Sequence, residues 1–157
     1  MRIKNLVMLL LYLVVFCSAC DKAISDTEDD GNIQGYADSQ LVGSWKITEI
    51  SSDKPYDWDA NGTMETNIYA TWTDCSKDNL YTFVGNKTGT YKTDCNTSKN
   101  GEWYITDDRK SIIYTTDGGF PEQERITSLS SNQFNSTKTF YPGNGTSLLI
   151  SKTWTKQ

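Results

Sequence analysis

The distribution of apolar and polar residues divides the chain into three parts. Residues 6–16, LVMLLLYLVVF, are continuously apolar, and residues 21–35 are acidic with only two large apolar side chains. From Leu41 onward, apolar residues recur at every second position between turn residues. This is the spacing of a half-buried β-strand, because successive side chains of a strand point to opposite faces. The third part is therefore predicted to be an all-β domain without long helices.

The alternation can be seen in individual segments. Trp45 and Ile47 share one face of the first predicted strand, and Trp103 and Ile105 share one face of the fifth. Short strands joined by turn-rich sequences favour a small antiparallel up-and-down barrel of eight to nine strands, in which no strand edge stays unpaired. The predicted strands are 44–50, 66–73, 79–84, 88–94, 101–106, 111–115, 124–129, 133–140 and 147–154.

The amino-terminal apolar run has the features of an export signal. Arg2 and Lys4 precede it, it carries no charge, and it is too short for a comfortable transmembrane helix. A basic start followed by a short apolar segment is typical of a signal peptide. We therefore expect residues 1–19 to be removed on export.

The residues at the end of this signal resemble the lipobox of bacterial lipoproteins. Ser18 and Ala19 are the small residues that such a box requires before the Cys that receives lipid, here Cys20, although Cys17 stands where Leu is usual. The resemblance implies lipidation of Cys20 and attachment to a membrane through this anchor. Ordinary cleavage near Ala19 is the alternative.

The segment that follows, residues 20–37, is predicted to be a flexible acidic tether. It carries five acidic residues against one Lys, and so little apolar surface cannot offset the entropy of ordering the chain. It resembles the acidic segments that follow the lipidated Cys in surface-exported lipoproteins of Bacteroidetes-type bacteria, and a plain spacer is the alternative. We expect an outer-membrane lipoprotein of the cell envelope, either periplasmic or surface-exposed.

Composition argues against two classes of function. The 15 Lys and Arg residues are outnumbered by 20 Asp and Glu, and the net charge of -5 would repel the phosphates of a nucleic acid. The sequence contains no His, which removes Ser-His-Asp and Cys-His arrangements and the commonest zinc ligand. We therefore expect no nucleic-acid partner and no enzyme activity.

Two cysteines remain inside the predicted domain, Cys75 and Cys95. In an oxidising compartment two such thiols indicate a disulfide. A hairpin over residues 80–94, turning at the Gly-rich residues 85–89, would place them nearly opposite each other at its open end. The link would stabilise the fold by about 3 kcal/mol through loop closure.

The start of the domain resembles the opening of a lipocalin-like domain. Leu41, Gly43 and Trp45 form the pattern Leu-x-Gly-x-Trp, in which the Gly allows close packing and the Trp plugs the closed end of the barrel. The preceding residues 38–40, Asp-Ser-Gln, could cap a short helical turn. The Arg that stacks on this Trp in larger lipocalins is missing, since the last strand carries Lys156 among its basic residues but no Arg.

The order of the later residues is also similar to that of lipocalin-like lipoproteins of Bacteroidetes-type bacteria. That order is an acidic loop, a Cys, a Lys-Asp pair, an aromatic strand, a Gly-rich turn, a second Cys and Gly-x-Trp. In this sequence it comprises Asp57, Asp59, Asn61, Gly62, Cys75, Lys77, Asp78, Tyr81, Phe83, Gly89, Cys95, Gly101, Glu102 and Trp103.

The resemblance implies a monomeric binding protein whose barrel, residues 38–157, holds a small hydrophobic or amphipathic ligand. Inward-facing residues would line the pocket. The candidates are Trp45, Ile47, Tyr81, Phe83 and Trp103. The alternative is a barrel filled by its own large side chains, acting as a structural module that contacts envelope proteins or glycans.

The acidic loop is a candidate calcium site. Side-chain oxygens of Asp57, Asp59 and Asn61, the carbonyl of Thr63 and the carboxylate of Glu65 match the first half of an EF-hand-type loop. The position of the bidentate Glu is occupied by an Ile instead. The alternative is a surface turn whose Asp and Asn side chains bind their own backbone. Calcium here would be structural, and we expect no other cofactor.

Overall fold

The computed structural model describes residues 35–157 except 94, 96 and 144. The expected signal peptide, the lipidation site Cys20 and the tether up to residue 34 lie outside the described residues. Within the described part of the chain, no helix is long and apolar enough to cross a membrane.

The described residues form nine strands and three short helices. The helices are α1 (Asp38–Leu41), α2 (Ile68–Thr71) and α3 (Asp74–Lys77). The strands are β1 (Gly43–Tyr56), β2 (Glu65–Asn67), β3 (Leu80–Phe83), β4 (Thr88–Lys92), β5 (Ser98–Ile105), β6 (Ser111–Thr116), β7 (Glu122–Leu129), β8 (Gln133–Phe140) and β9 (Leu148–Lys156).

An antiparallel meander closes into a barrel. Strands β3 to β9 pair in chain order, β1 pairs with β3, and β1 also pairs with β9 along most of its length. The barrel therefore has eight strands, β1 and β3 to β9, while β2 is an additional strand on the far end of β1. The prediction of a closed antiparallel barrel of eight to nine strands is confirmed.

The strand predicted over residues 66–73 is wrong. Only Glu65–Asn67 is extended, and the chain then turns into α2. The side chain of Asn67 causes the change, because its Oδ1 accepts the backbone N–H of Ala70 at 3.1 Å and so caps the helix. A strand would place Tyr69 and Trp72 on opposite faces, whereas the helical turn brings their ring centroids to 5.7 Å from each other.

Strand β1 is held by a side chain where its pairing with β3 stops. The β1 pairing with β3 covers residues 43–45. Just beyond, Asn79 Oδ1 accepts the N–H of Ile47 at 2.7 Å, and Asn79 Nδ2 donates to the Ile47 carbonyl at 3.2 Å. Asn79 is buried, so these bonds replace the missing strand contacts.

Aromatic rings fill the half of the barrel next to α1. Trp45 packs edge-on against Phe134 with centroids 4.9 Å apart, and Phe134 stacks on Trp154 at the same distance. Trp103 is equally inaccessible, and its Nε1 donates to the Val84 carbonyl at 2.9 Å. This half of the barrel is therefore a packed core.

Helix α1 and Trp45 close this end of the barrel, which we call the closed end. Trp45 Nε1 donates to the carbonyl of Leu41 at 2.7 Å, and both residues are fully buried. Within the preceding turn, Gln40 Oε1 accepts the N–H of Ala37 at 2.8 Å.

Cys75 and Cys95 are joined by a disulfide, with Cα atoms 4.5 Å apart. The bond connects α3 to the loop between β4 and β5. The predicted pairing is confirmed, and it fastens the connection between β2 and β3 to the barrel wall.

Candidate functional site

The barrel carries a cavity at the end opposite α1, where β3, β5, β7 and β9 begin. We call it the open-end cavity. Its volume is about 390 Å³. It is lined by Tyr81, Thr93, Lys99, Tyr114, Thr116, Gly119, Phe120, Glu122, Lys138 and Lys152.

The alternation of the strands explains why polar side chains line this cavity. On β8, Phe134, Ser136 and Lys138 share the inward face, and they change from apolar to charged toward the open end. On β9, Lys152 lies on the inward face between the buried Ile150 and Trp154. The inward face toward the open end therefore carries charged side chains among apolar ones.

The floor of the cavity is aromatic. Tyr81 and Tyr114 have ring centroids 5.7 Å apart, and Tyr81 packs edge-on against Trp154 at 4.9 Å. Trp154 itself is fully buried beneath them. A ligand in the cavity would therefore meet two tyrosine rings and would not reach the core below.

A buried carboxylate lies beside this floor. Glu124 is only 1% exposed, and it accepts hydrogen bonds from Tyr114 Oη at 2.8 Å, from Ser136 Oγ and from Lys152 Nζ. Ser136 Oγ in turn accepts the Nε1–H of Trp154 at 2.8 Å. Both carboxylate oxygens are therefore satisfied, as a buried charge requires.

These contacts shift the pKa values of the network. Burial raises the pKa of Glu124, but the Lys152 charge and the hydrogen bonds from Lys152, Ser136 and Tyr114 outweigh it, so the pKa is lowered below its ordinary value. Burial, followed by the charge of Glu124, raises the pKa of Tyr114 well above its ordinary value. Glu124 is thus ionised and Tyr114 protonated at neutral pH.

The rim of the cavity is mixed in charge. Lys138 Nζ lies 2.7 Å from Glu122 Oε2, whereas Lys99 has no ion pair among the described residues. Phe120, in the turn between β6 and β7, is 92% exposed beside the cavity. The rim therefore offers one unbalanced ammonium group and one free aromatic ring.

Two glycines leave space on the inward face of β4 and β5. Gly89 and Gly101 face each other across these strands, and the Tyr91 ring lies against both of them. Tyr91 Oη donates to the Glu102 carbonyl at 3.0 Å. A Cβ at Gly101 would lie 2.8 Å from the Tyr91 ring and closer still to the carbonyl of Thr115. The two glycines thus let Tyr91 fold toward the closed end, away from the cavity.

Most of the predicted pocket residues lie below this cavity. Trp45, Ile47, Phe83 and Trp103 are buried in the core, and only Tyr81 lines the cavity. The other lining residues were not proposed from the sequence. One signal was present: Glu124 and Lys152 occupy the same alternating positions as buried residues of their strands, two residues from Ile126 and from Ile150 and Trp154.

The predicted calcium loop brings its three carboxylates together. Asp57, Asp59 and Glu65 have carboxylate oxygens within 4.8 Å of one another. The Asp57 oxygens also accept the N–H groups of Asn61 and Gly62, both at 3.0 Å.

The other two residues predicted in this loop also make local contacts. Asn61 Oδ1 accepts the N–H of Thr63 at 2.7 Å. The Glu65 carbonyl accepts the indole N–H of Trp58 at 3.2 Å, and Glu65 Oε2 is buried without a hydrogen-bond partner among the residues that the structure describes. The loop is therefore both a self-bonded turn and an acidic cluster.

The fold and its cavity define a small lipocalin-like barrel. The family model described as "Lipocalin-like domain" matches residues 41–136. Because the match covers more than half of the chain, the chain belongs to this family. Lipocalin barrels typically enclose one small ligand.

Solved structures of similar fold include two of bovine odorant binding protein. The complex with a selenium-containing odorant has 15% sequence identity and a TM-score of 0.43, over 78% of this chain and 73% of that chain. The complex with undecanal has 18% identity and a TM-score of 0.41, over 76% and 72%. No curated protein sequence matches this chain.

Proposed function

We propose that this protein binds a small amphipathic molecule in the open-end cavity and performs no catalysis. The observation that carries the proposal is the cavity itself, which combines an aromatic floor with a charged rim, in which lysines outnumber acidic residues, inside a lipocalin-like barrel. A volume of about 390 Å³ falls at the lower end of the range for small-molecule pockets. The tyrosine rings suit the apolar part of a ligand, and the ammonium groups suit its polar part.

The test uses the soluble form starting at Asp21, purified without refolding. Native mass spectrometry should show a co-purified mass of lipid or metabolite size that is lost on mild activation. Thr116→Trp should abolish this mass, because Thr116 lines the cavity and an indole would fill it. Thr115→Trp is the matched control, since Thr115 is its neighbour on β6 and does not line the cavity.

A co-purified ligand retained equally by both variants would contradict binding in this cavity. A bare protein mass, together with no binding of added decanol or decanoate, would contradict small-molecule binding altogether. It would favour the filled-barrel interaction module, whose support is the packed aromatic core and exposed rings such as Phe120 and Tyr141.

We also propose that the barrel is tethered to the outer membrane of the cell envelope through a lipid on Cys20. Two observations support this: the lipobox-like sequence at residues 18–20 and the disulfide, which is typical of exported proteins. Metabolic labelling with a palmitate analogue should mark the wild-type chain and leave Cys20→Ala unlabelled. Equal labelling of both would contradict the anchor.

A structural calcium ion in the acidic loop is a separate proposal. Its support is the proximity of Asp57, Asp59 and Glu65 and the buried, unpartnered Oε2 of Glu65. Calorimetric titration with CaCl₂ should show one binding event in the wild type and none in Glu65→Gln. Asp53→Asn, outside the cluster, is the control and should bind as the wild type does. If the wild type gave no heat of binding, the calcium proposal would be wrong and the loop would be an ordinary Asx-bonded turn.

A further inference from the structure

Two groups of the open-end cavity have no partner among the described residues. Tyr81 is 8% exposed and lines the cavity, yet its hydroxyl makes no hydrogen bond within the described part of the chain. Lys99 has an exposed side chain, and its ammonium makes no ion pair or hydrogen bond with any described residue either. The hydroxyl and the ammonium are therefore both available to a ligand atom in the cavity.

The strand register places these two groups in one row. Tyr81 pairs with Tyr91 across β3 and β4, and Tyr91 pairs with Lys99 across β4 and β5. Neighbouring strands lie about 4.8 Å apart, so Tyr81 and Lys99 are two strand spacings from each other. The side chain between them, Tyr91, turns toward the closed end and bonds the Glu102 carbonyl. The space between Tyr81 and Lys99 is therefore left for a ligand.

The remaining charges of the cavity are already paired. Glu122 lies against Lys138, and the buried Glu124 lies against Lys152. Lys99 is thus the unbalanced charge of a cationic cavity in a chain whose net charge is negative. Burial and the charges of Glu124 and Glu122 raise the pKa of Tyr81 far above its ordinary value, so its hydroxyl stays a hydrogen-bond donor at neutral pH.

We propose that Lys99 and Tyr81 together hold the anionic oxygen group of the ligand, a carboxylate or a phosphate ester. An anionic oxygen group can accept hydrogen bonds from both the Lys99 ammonium and the Tyr81 hydroxyl. Such charge-assisted hydrogen bonds are stronger than those between neutral groups. The apolar part of the ligand lies on the tyrosine floor and beside the exposed ring of Phe120. This inference rests on the proposed function of the cavity and names the class of ligand: an amphipathic anion.

The test compares ligands that differ only in the head group. Decanoate, decyl phosphate, decanol and decyltrimethylammonium are titrated into the soluble form by calorimetry, all below their micelle concentrations. Decanoate or decyl phosphate should bind about tenfold more tightly than decanol, and the cationic probe should bind least. The tighter of the two anions identifies the head group.

Two variants locate the effect. Lys99→Met keeps the length of the side chain and should weaken binding of the anion about tenfold while leaving decanol unchanged. Tyr81→Phe keeps the ring and should weaken binding of the anion several-fold, again without changing the affinity for decanol. Lys110→Met is the matched control, because Lys110 lies in the turn between β5 and β6 at the closed end, and it should behave as the wild type.

The outcomes separate this inference from the proposal on which it rests. Equal affinities for decanoate, decyl phosphate and decanol, or no effect of Lys99→Met, would overturn the anion site while leaving the binding cavity intact. Inorganic phosphate that competes with decyl phosphate at equal affinity would show a free-anion site and overturn the amphipathic class. Failure of all four decyl probes would overturn the proposed function itself.

Discussion

The Lys156 ammonium lies over the indole ring of Trp45, 5.1 Å from the ring centroid. The Lys156 side chain passes directly over Gly43, since a Cβ at that position would lie 2.6 Å from Lys156 Cε. Lys156 therefore makes the cation–π contact with Trp45 at the closed end, in place of the Arg that the last strand lacks. The Gly and the Trp of the Leu-x-Gly-x-Trp pattern are both explained by this one arrangement.

Gly43→Ala should destabilise the barrel by about 1–3 kcal/mol, because Gly43 has a φ of +136° that residues with a Cβ rarely adopt and its Cβ would strike Lys156. Urea denaturation followed by tryptophan fluorescence measures the loss. In a Lys156→Ala background, the same substitution should lose less unfolding free energy, because the clash with Lys156 is gone. The loss that comes from the positive φ should remain. An equal loss in both backgrounds would show that Lys156 does not restrict this position.

Glu124→Gln should cost about 3–5 kcal/mol of unfolding free energy, because it leaves the Lys152 ammonium buried without a counter-charge. Glu122→Gln is the matched control. Its ion pair with Lys138 is half-exposed, and its loss should cost less than about 1 kcal/mol.

Removing both partners of the buried pair should cost less than removing the carboxylate alone. In Glu124→Gln with Lys152→Met, no uncompensated charge remains in the barrel. A double variant whose loss equals the sum of the two single losses would mean that the charges do not act as a pair.

The pKa of Glu124 gives a direction for stability against pH. The carboxyl has a lower pKa in the folded protein than in the unfolded chain, so the unfolded chain binds the proton more readily in acid. The stabilisation is complete above the ordinary Glu pKa and is lost as the pH falls through the lowered value. The unfolding free energy of the wild type should therefore fall more steeply below about pH 4.5 than that of Glu124→Gln. If the unfolding free energies of the two proteins fell in parallel with pH, Glu124 would not be the cause of the acid sensitivity.

Cys75→Ser should lower the melting temperature under oxidising conditions. The disulfide closes a loop of 20 residues, which corresponds to about 3 kcal/mol. In reductant the wild type should melt close to the variant, because both then lack the cross-link. A variant that stays equally far below the wild type in reductant would show that the thiol itself, rather than the bond, matters.

The sequence predicted the barrel well because its strands follow a strict alternation, and it predicted the disulfide because the hairpin between the cysteines is local. It failed over residues 66–73, where one Asn cap redirects the chain. Of the five predicted pocket residues, Tyr81 alone lines the open-end cavity, because alternation shows that Trp45 and Trp103 face inward but does not show how completely aromatic rings fill the interior.

The buried charge pair was beyond the reach of local patterns. Glu124 and Lys152 lie on β7 and β9, with the whole of β8 between them. Each residue alone has the character of a surface residue, since charged groups are rarely buried without a partner. Only the closed barrel shows that the two inward positions meet beside Tyr114.

The pairing of β1 with β9 has a kinetic consequence. Trp45 lies opposite Lys156, so the first and last strands of the domain must meet before the barrel is complete. Contacts between such distant parts of the chain slow folding, because the entropy of the intervening loop is lost before the contact forms. The barrel therefore stays open until β9 has joined β1, and one edge of β1 is available for pairing with other chains until then.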